Sequence, residues 1–191
     1  GWAETLAYDE AIRGDSRRGI EIITREAGRL TKMVEELLEF TRIQDGRFTL
    51  HVSTVELPAL VEDCLYTYNE LFRHEDLAVT YVSPEEDLPE IPGDPERLSQ
   101  VFLNILDNAC KYGKNGKKID VKITHDDATV SVCIRDYGPG IPPAELPQVK
   151  KKFFKGSSKE RGSGIGLAVC DEIVTRHNGT LDIANAAGGG V

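Results

Sequence analysis

The sequence has few cysteines, and no two of them are close together. No C-x-x-C pair occurs, so neither a zinc site nor a disulfide framework is predicted. Long apolar runs are also missing, because no stretch approaches the roughly 18 residues that a transmembrane helix needs. The first residues, Gly1 to Glu4, lack the architecture of a signal peptide. We therefore expect reduced thiols, a cytoplasmic location and no membrane contact by this segment, even if a parent protein is anchored in the cell membrane. The cysteines are Cys64, Cys110, Cys133 and Cys170.

Positive charge is also scarce. The sequence has 23 Lys and Arg against 32 Asp and Glu, which gives a formal net charge of -9. A nucleic acid is therefore disfavoured as the main partner, since binding its backbone takes a net basic face. The 191 residues are 40% hydrophobic and 29% charged, as is typical of one globular domain with a smaller appendage. This composition excludes a disordered or fibrous chain.

A helical seam marks the first part of the chain, residues 1–45. Apolar side chains recur there in alternating steps of three and four, as in a coiled coil, and such a helix needs a partner helix. The segment Trp2 to Ile12 is also helix-like, and Arg13 to Ser16 supply a breaker followed by N-cap candidates. We predict a partial helical hairpin that ends at Asp45-Gly46; the alternative is a helical bundle segment without functional meaning. The seam consists of Ile20, Ile23, Ala27, Leu30, Val34, Leu37 and Thr41.

Strands and helices are mixed in the second part, residues 46–191. Alternation with period two predicts the strands, and a period of 3.6 predicts the helices. One helix has a clear start, because Asp94 is a good N-cap and Pro95 suits the first helical position. Helices and antiparallel strands in this order favour an α+β fold, a two-layer α/β sandwich with helices on one sheet face. The predicted strands are Phe48–Val52, Ala78–Val82, Ile119–Thr124, Thr129–Arg135 and Thr180–Ile183, and the predicted helices are Leu57–Phe72, Pro95–Tyr112 and Gly164–His177.

A polar stripe lies on the helix that begins at Pro95. Asn104, Asn108 and Lys111 are spaced i, i+4 and i+7, so they share one face. An amide oxygen can ligate Mg²⁺, and a lysine can meet a phosphate as a point charge. The stripe therefore predicts a site for a metal-bound triphosphate; an ordinary solvated face is the alternative. The neighbouring apolar side is formed by Leu98, Phe102, Ile105 and Ala109.

A turn with two glycines follows the strand that ends at Arg135. In this turn, Asp136 to Gly140, the glycines allow positive φ and close approach of a flat ligand to the backbone. An ionised Asp136 can only accept hydrogen bonds. At a sheet end under an apolar pocket it would select a donating group, such as the exocyclic amine of adenine. The alternative is a plain turn capped by an Asx hydrogen bond.

A glycine-rich segment, Gly162 to Leu167, opens the last long helix. Bare backbone amides and the positive end of a helix dipole are presented together there, and this combination binds anions. The G-x-G-x-G spacing is not the dinucleotide fingerprint, and no G-K-[ST] follows, which excludes a P-loop. Basic residues precede the glycines, which predicts a flexible basic flap over phosphates or, alternatively, a solvated loop. They are Lys150, Lys151, Lys152, Lys155, Lys159 and Arg161.

Taken together, these motifs resemble the GHKL (Bergerat-type) ATP-binding fold of sensor histidine kinases. Asn104 to Tyr112 resembles the N box of that family, Asp136 to Gly140 its G1 box and Gly162 to Leu167 its G2 box. Their order and spacing agree with the family across roughly residues 46–191. The resemblance implies a catalytic ATP-binding domain over that range.

ATP and Mg²⁺ are the cofactors that the resemblance implies. Asn108 would ligate Mg²⁺, and Asn104 and Lys111 would support the phosphates, so these three form the implied catalytic set. Tyr112 would flank the nucleotide and Asp136 would read adenine. The implied nucleotide-binding residues are Asn104, Asn108, Lys111, Tyr112, Asp136, Gly138, Gly140, Ile141, Lys155, Arg161, Gly162, Gly164, Ile165, Gly166 and Leu167.

The resemblance also implies a mobile lid at about Ile141 to Arg161. Phe153-Phe154-Lys155 matches part of the family's F box. The match is imperfect, because Lys150 stands where the family usually has the first aromatic residue. We therefore leave open how the lid packs against a helical hairpin.

Residues 1–45 are similar to part of the family's dimerisation and phosphotransfer hairpin. The helix from Arg17 to Arg42 resembles its second helix, and Gly1 to Leu6 resembles the stretch just after the H box. The H box itself is missing, because none of the four histidines is followed by the acidic, leucine and arginine pattern. The resemblance implies a homodimer and a response regulator receiver domain as partners. We expect this chain alone not to autophosphorylate.

One residue separates phosphotransfer from hydrolysis within the superfamily. ATP-hydrolysing members carry a Glu four residues before the Mg²⁺-ligating Asn, as a general base. Asn104 occupies that position here, and an amide cannot take a proton. This favours in-line transfer of the γ-phosphoryl group to a histidine, and thence to a response regulator Asp, over hydrolysis. The alternatives are a nucleotide-binding regulatory scaffold, a gyrase-like or chaperone-like ATPase, disfavoured by Asn104, and a serine-directed anti-sigma kinase, disfavoured by the long seam helix.

Overall fold

The computed structural model divides the chain into two compact units, Gly1–Arg47 and Phe48–Val191. In the part of the chain that it describes, no helix is long and apolar enough to cross a membrane. The described residues are 2–7, 12–44, 48–86, 88–157 and 162–191.

The first unit contains a short helix, α1 (Trp2–Ala7), in contact with a long helix, α2 (Asp15–Gln44). The predicted long helix is confirmed. The predicted helix end at Asp45-Gly46 lies outside the described residues, as do positions 8–11 of the predicted first arm. Seam residues of α2 are open to solvent: Ile23, Leu30 and Val34 are 59%, 54% and 55% exposed.

Five strands form two sheets in the described residues of the second unit. The smaller sheet pairs β1 with β3 in antiparallel fashion. In the larger sheet, of order β2-β4-β5, β2 is parallel to β4 and β4 is antiparallel to β5. The strands are β1 (Ser53–Val55), β2 (Ala78–Val82), β3 (Ile91–Gly93), β4 (Lys118–His125) and β5 (Val130–Asp136).

Two predicted strands are wrong, and two strands were not predicted. Residues 48–52 are not in a strand. Phe48 is buried under the guanidinium groups of Arg97 and Arg176, whereas Val52 is 59% exposed, so the residues that alternate in sequence do not share one buried face. Residues 180–183 are not in a strand either, and the Leu181 carbonyl accepts a hydrogen bond from Lys150. The unpredicted strands are β1, which begins directly after the strand predicted at 48–52, and β3, in a proline-rich segment. Each is only three residues long, too short for period-two alternation to be detected.

Three helices of the second unit confirm the predictions to within about two residues. They are α3 (Leu57–His74), α4 (Pro95–Gly113) and α5 (Gly166–Arg176). Because β3 and α4 lie between β2 and β4 in sequence, the chain crosses over before it pairs, which makes these two strands parallel rather than antiparallel as predicted.

The helices cover one face of the larger sheet. Ile119, Val121 and Ile123 of β4 are buried in one core cluster with Val61 of α3 and Leu106 of α4. The residues between them on β4 point to the other face and are partly or fully exposed. The predicted α+β, two-layer sandwich is confirmed, with a mixed sheet.

The start of α4 is held by Asp94, which is buried. Its carboxylate accepts hydrogen bonds from the backbone N–H groups of Arg97 (3.2 Å) and His51 (2.8 Å), and its own N–H donates to His177 Nε2 at 2.9 Å. Burial alone would raise the pKa of the Asp94 carboxyl, but the backbone hydrogen bonds from His51, Arg97 and Glu96 together with the charge of Arg97 outweigh it, so the pKa lies below its ordinary value. The ionised carboxylate thus orients the helix that carries the polar stripe.

We predict that Asp94→Asn lowers the free energy of unfolding by about 1 kcal/mol at pH 7, because an amide nitrogen facing the His51 N–H cannot accept its hydrogen bond. Because the pKa of this carboxyl is lower in the folded protein than in the unfolded chain, its ionisation stabilises the fold at pH values above the ordinary pKa. That stabilisation is lost as the pH falls through the folded-state pKa. The gap between the two proteins should therefore narrow as pH falls below about 3.8. Urea titrations at pH 7 and pH 3 measure it; an equal gap at both values would contradict this account.

Candidate functional site

The polar stripe on α4 lies where the sequence places it. Asn104, Asn108 and Lys111 are all half-buried. Among the residues that the structure describes, neither side-chain amide has a hydrogen-bond partner, whereas the Lys111 Nζ lies 2.6 Å from Asp107 Oδ2. Sequence reasoning missed Asp107, although its i, i+4 spacing to the lysine was visible. The two amides are thus available to a polar ligand, and the lysine is held in place by its neighbour.

The end of α4 meets the end of β5 with almost no space between them. A Cβ on Gly113 would lie 2.4 Å from the Asp136 Cβ, and a Cβ on Gly138 would lie 2.5 Å from the Tyr112 carbonyl oxygen. Only glycine permits such an approach. The stripe and the two-glycine turn are therefore parts of one surface. Sequence analysis did not single out Gly113, and its only signal was its place directly after Tyr112.

Asp136 is buried at this junction, with 9% of its surface exposed. The Gly138 N–H donates to its Oδ1 at 2.8 Å, so the Asx-type turn considered as an alternative is present. Burial raises the pKa of the Asp136 carboxyl, although hydrogen bonds from the Gly138 and Val191 amides and the charge of Arg135 oppose the rise. A carboxylate has about four acceptor positions, so these two backbone donors leave it capacity to accept from a ligand.

The glycine-rich segment lies beside the stripe. A Cβ on Gly166 would lie 3.9 Å from Asn104 Oδ1, and one on Gly162 would lie 3.4 Å from the Tyr112 hydroxyl oxygen. Gly164 has φ +75° and approaches the Phe154 carbonyl oxygen. Within the described part of the chain, no side chain caps the start of α5, so its first amides are available to an anion.

Three of the predicted binding residues contribute in other ways or cannot be placed. Ile165 is buried, and its N–H donates to Ser163 Oγ at 3.1 Å, so the side chain belongs to the core. Lys155 is exposed on the lid segment. Arg161 lies outside the described residues, as does Lys159 of the basic segment. Leu167 is half-buried on the first turn of α5.

The lid segment is attached to α5 through Lys150. Its Nζ lies 2.8 Å from Asp171 Oδ1 and donates to the Leu181 carbonyl at 2.9 Å. Farther along, the Glu145 carboxylate accepts from the Ser157 N–H at 3.0 Å. Lys150, which departs from the family pattern, therefore links the lid segment to α5 through a structural contact.

Close contacts at glycines join α4, the end of β5 and the start of α5. This arrangement, on this fold, defines the class of GHKL nucleotide-binding domains. The family described as "Histidine kinase-, DNA gyrase B-, and HSP90-like ATPase" matches residues 93–191. The chain belongs to this family. The resemblance to the ATP-binding domain of sensor histidine kinases is thereby confirmed.

Relatives and solved structures agree with this assignment. The chain is 30% identical over 192 residues to the signal transduction histidine-protein kinase BaeS of Escherichia coli (strain K12), covering 98% of this chain and 41% of BaeS. Full-length ShkA, solved in complex with AMPPNP, superposes with a TM-score of 0.81 at 21% identity, covering 99% of this chain and 40% of ShkA. Histidine kinase ThkA, solved in complex with the response regulator protein TrrA, has a TM-score of 0.75 at 24% identity, covering 99% and 54%. The chain thus spans about two fifths of BaeS.

We predict that Gly113→Ala lowers the free energy of unfolding of the second unit by about 2 kcal/mol, because its Cβ overlaps Asp136. Gly28→Ala is the matched control: Gly28 lies on α2 with nothing within 4 Å of an added Cβ, so the change leaves stability equal or slightly higher. Denaturant unfolding measures both, followed by a probe in the first unit for Gly28→Ala and by a probe in the second unit for Gly113→Ala. A Gly113→Ala protein as stable as the wild type would contradict the close approach.

Proposed function

We propose that this chain is the ATP-binding catalytic core of a two-component sensor histidine kinase. It would transfer the γ-phosphoryl group of ATP to a histidine that is not in this sequence, and thence to an Asp of a response regulator. The observation that carries the proposal is the pair of stripe amides, Asn104 and Asn108, which have no hydrogen-bond partner among the described residues. They lie beside the start of α5, which no described side chain caps. The amides of the stripe can contact a metal-bound phosphate, and the backbone N–H groups at the start of α5 can bind phosphate oxygens.

The residues present suit a nucleotide with Mg²⁺. Asn108 would supply an oxygen ligand to the ion, while Asn104 and Lys111 would contact the phosphates. When bound, the ion supplies positive charge that offsets the negative charge of the phosphate oxygens. Asp136 would accept a hydrogen bond from the adenine amine, and Tyr112 would flank the nucleotide. Backbone N–H groups of the glycine-rich segment, Gly162 to Leu167, would donate hydrogen bonds to the phosphates.

The chemistry of position 104 supports transfer rather than hydrolysis. A carboxylate there would be a general base for water, but the Asn104 amide takes no proton. The side chains instead orient the triphosphate, and Lys111 and the α5 amides offset the charge that develops at the transferred group. The protein therefore acts mainly by positioning.

The exposed seam of α2 supports a homodimer through the helical hairpin. Apolar side chains at heptad spacing face solvent along this helix, and a second copy would bury them. A response regulator receiver domain is the proposed downstream partner. ThkA, a fold relative, was solved with such a regulator.

We predict that this chain incubated with γ-labelled ATP and Mg²⁺ incorporates no label, because none of His51, His74, His125 and His177 lies on α1 or α2. A fusion that adds the H-box segment of BaeS ahead of Trp2 should incorporate label in a bond that survives base but not acid. Asn108→Ala in the fusion should abolish it, while Asn115→Ala, at an exposed position outside the stripe, should not.

Two results would count against the proposal. Acid-labile, base-stable labelling of the chain alone would show an acceptor histidine within it. A fusion that binds ATP but never becomes labelled would favour the nucleotide-binding scaffold instead.

A further inference from the structure

Asn185 lies outside the three motifs, yet its side chain bonds both backbone groups of one residue beside them. The Ile141 N–H donates to Asn185 Oδ1 at 2.7 Å, and Asn185 Nδ2 donates to the Ile141 carbonyl at 2.6 Å. The residues are 44 positions apart in sequence. An amide that engages both groups in this way replaces one rung of a strand pair and fixes that backbone in position.

The segment that carries Asn185 is itself attached to the end of β5. The Asp136 N–H donates to the Val191 carbonyl at 3.0 Å. Arg135 Nη2 donates to the Ala187 carbonyl at 2.8 Å. Residues 185–191 therefore hold the turn from Asp136 to Ile141 at both ends. Val191 contacts the first residue of the turn, Asp136, and Asn185 contacts the last, Ile141.

Gly140 shows how tightly the turn meets this side chain. Its φ is +78°, and a Cβ there would lie 2.9 Å from Asn185 Oδ1. The second glycine of the turn is thus required both by its own backbone conformation and by the amide that faces it.

We infer that Asn185 is a positioning residue for the nucleotide site. It acts through Ile141, by holding the turn in the shape that presents Asp136 to the base and by fixing the point where the lid begins. The inference rests on the proposed ATP site. Because Asn185 is exposed, its replacement removes no core packing, so an effect on binding can be separated from an effect on folding.

The test is a calorimetric titration of the wild type, Asn185→Ala and Asn185→Asp with ADP and with a non-hydrolysable ATP analogue, each with Mg²⁺. Asn185→Ala should lower the affinity for both nucleotides by the same factor, about tenfold, because the lost hydrogen bonds act on the base side of the site. Asn185→Asp, which keeps the acceptor and loses the donor, should give a smaller loss, about threefold. The control Asn115→Ala, an exposed asparagine after α4, should bind as the wild type does.

Two further readouts separate positioning from a general structural role. Hydrogen exchange at the Ile141 amide, measured without nucleotide, should accelerate in Asn185→Ala, while the thermal midpoint stays within about 2 °C of the wild type. Wild-type binding with equal binding by Asn185→Ala would overturn the inference and leave the ATP site standing. Weakened binding with unchanged exchange at Ile141, or accompanied by a large fall in the midpoint, would overturn it too. A wild type that binds neither nucleotide would overturn the proposed function, and the inference with it.

Discussion

The close approach of Gly113 to Asp136 is the constraint on which the nucleotide site depends. At that point the last turn of α4 and the last residue of β5 are separated by less than one side chain. The contact sets where the polar stripe lies relative to the buried carboxylate, because both elements are rigid and packed on one core. Any larger residue at position 113 must move one of them. The site is therefore as much a property of helix and sheet packing as of its polar groups.

Electrostatics in the site are local. The chain has a net charge of -9, yet the groups that would meet phosphates are amides, a lysine and the start of α5. Backbone amides and a helix dipole attract an anion over about one turn, so they do not need a basic protein. Asp136 faces the opposite requirement, since burial raises its pKa while backbone donors oppose the rise. The proposed anion-binding and base-reading ends of the site would thus use different physical devices.

Much of this arrangement could be predicted from the sequence. Helix α4 was predictable because Asp94 and Pro95 mark its start and its apolar side repeats at helical spacing. The motifs were predictable as separate segments, and the family resemblance implied that they meet at one nucleotide. The contact that joins them was not predictable, because it depends on Gly113 and on the crossover between β2 and β4. The strand predicted at 48–52 failed because the residues that alternate in sequence are not buried alike: Phe48 is buried and Val52 is 59% exposed. Asn185 left no signal, since a side chain bonding a backbone 44 positions away has no local pattern.

The measurement that tests the central claim most directly is a calorimetric titration of the chain and of Asp136→Asn with a non-hydrolysable ATP analogue and Mg²⁺. The substitution keeps the shape of the side chain and replaces one acceptor with a donor, so the close packing against Gly113 is retained. The account predicts that the wild type binds and that Asp136→Asn loses most of this affinity while remaining folded. Equal binding by both proteins would contradict the claim that the buried carboxylate at the junction of α4 and β5 reads the base.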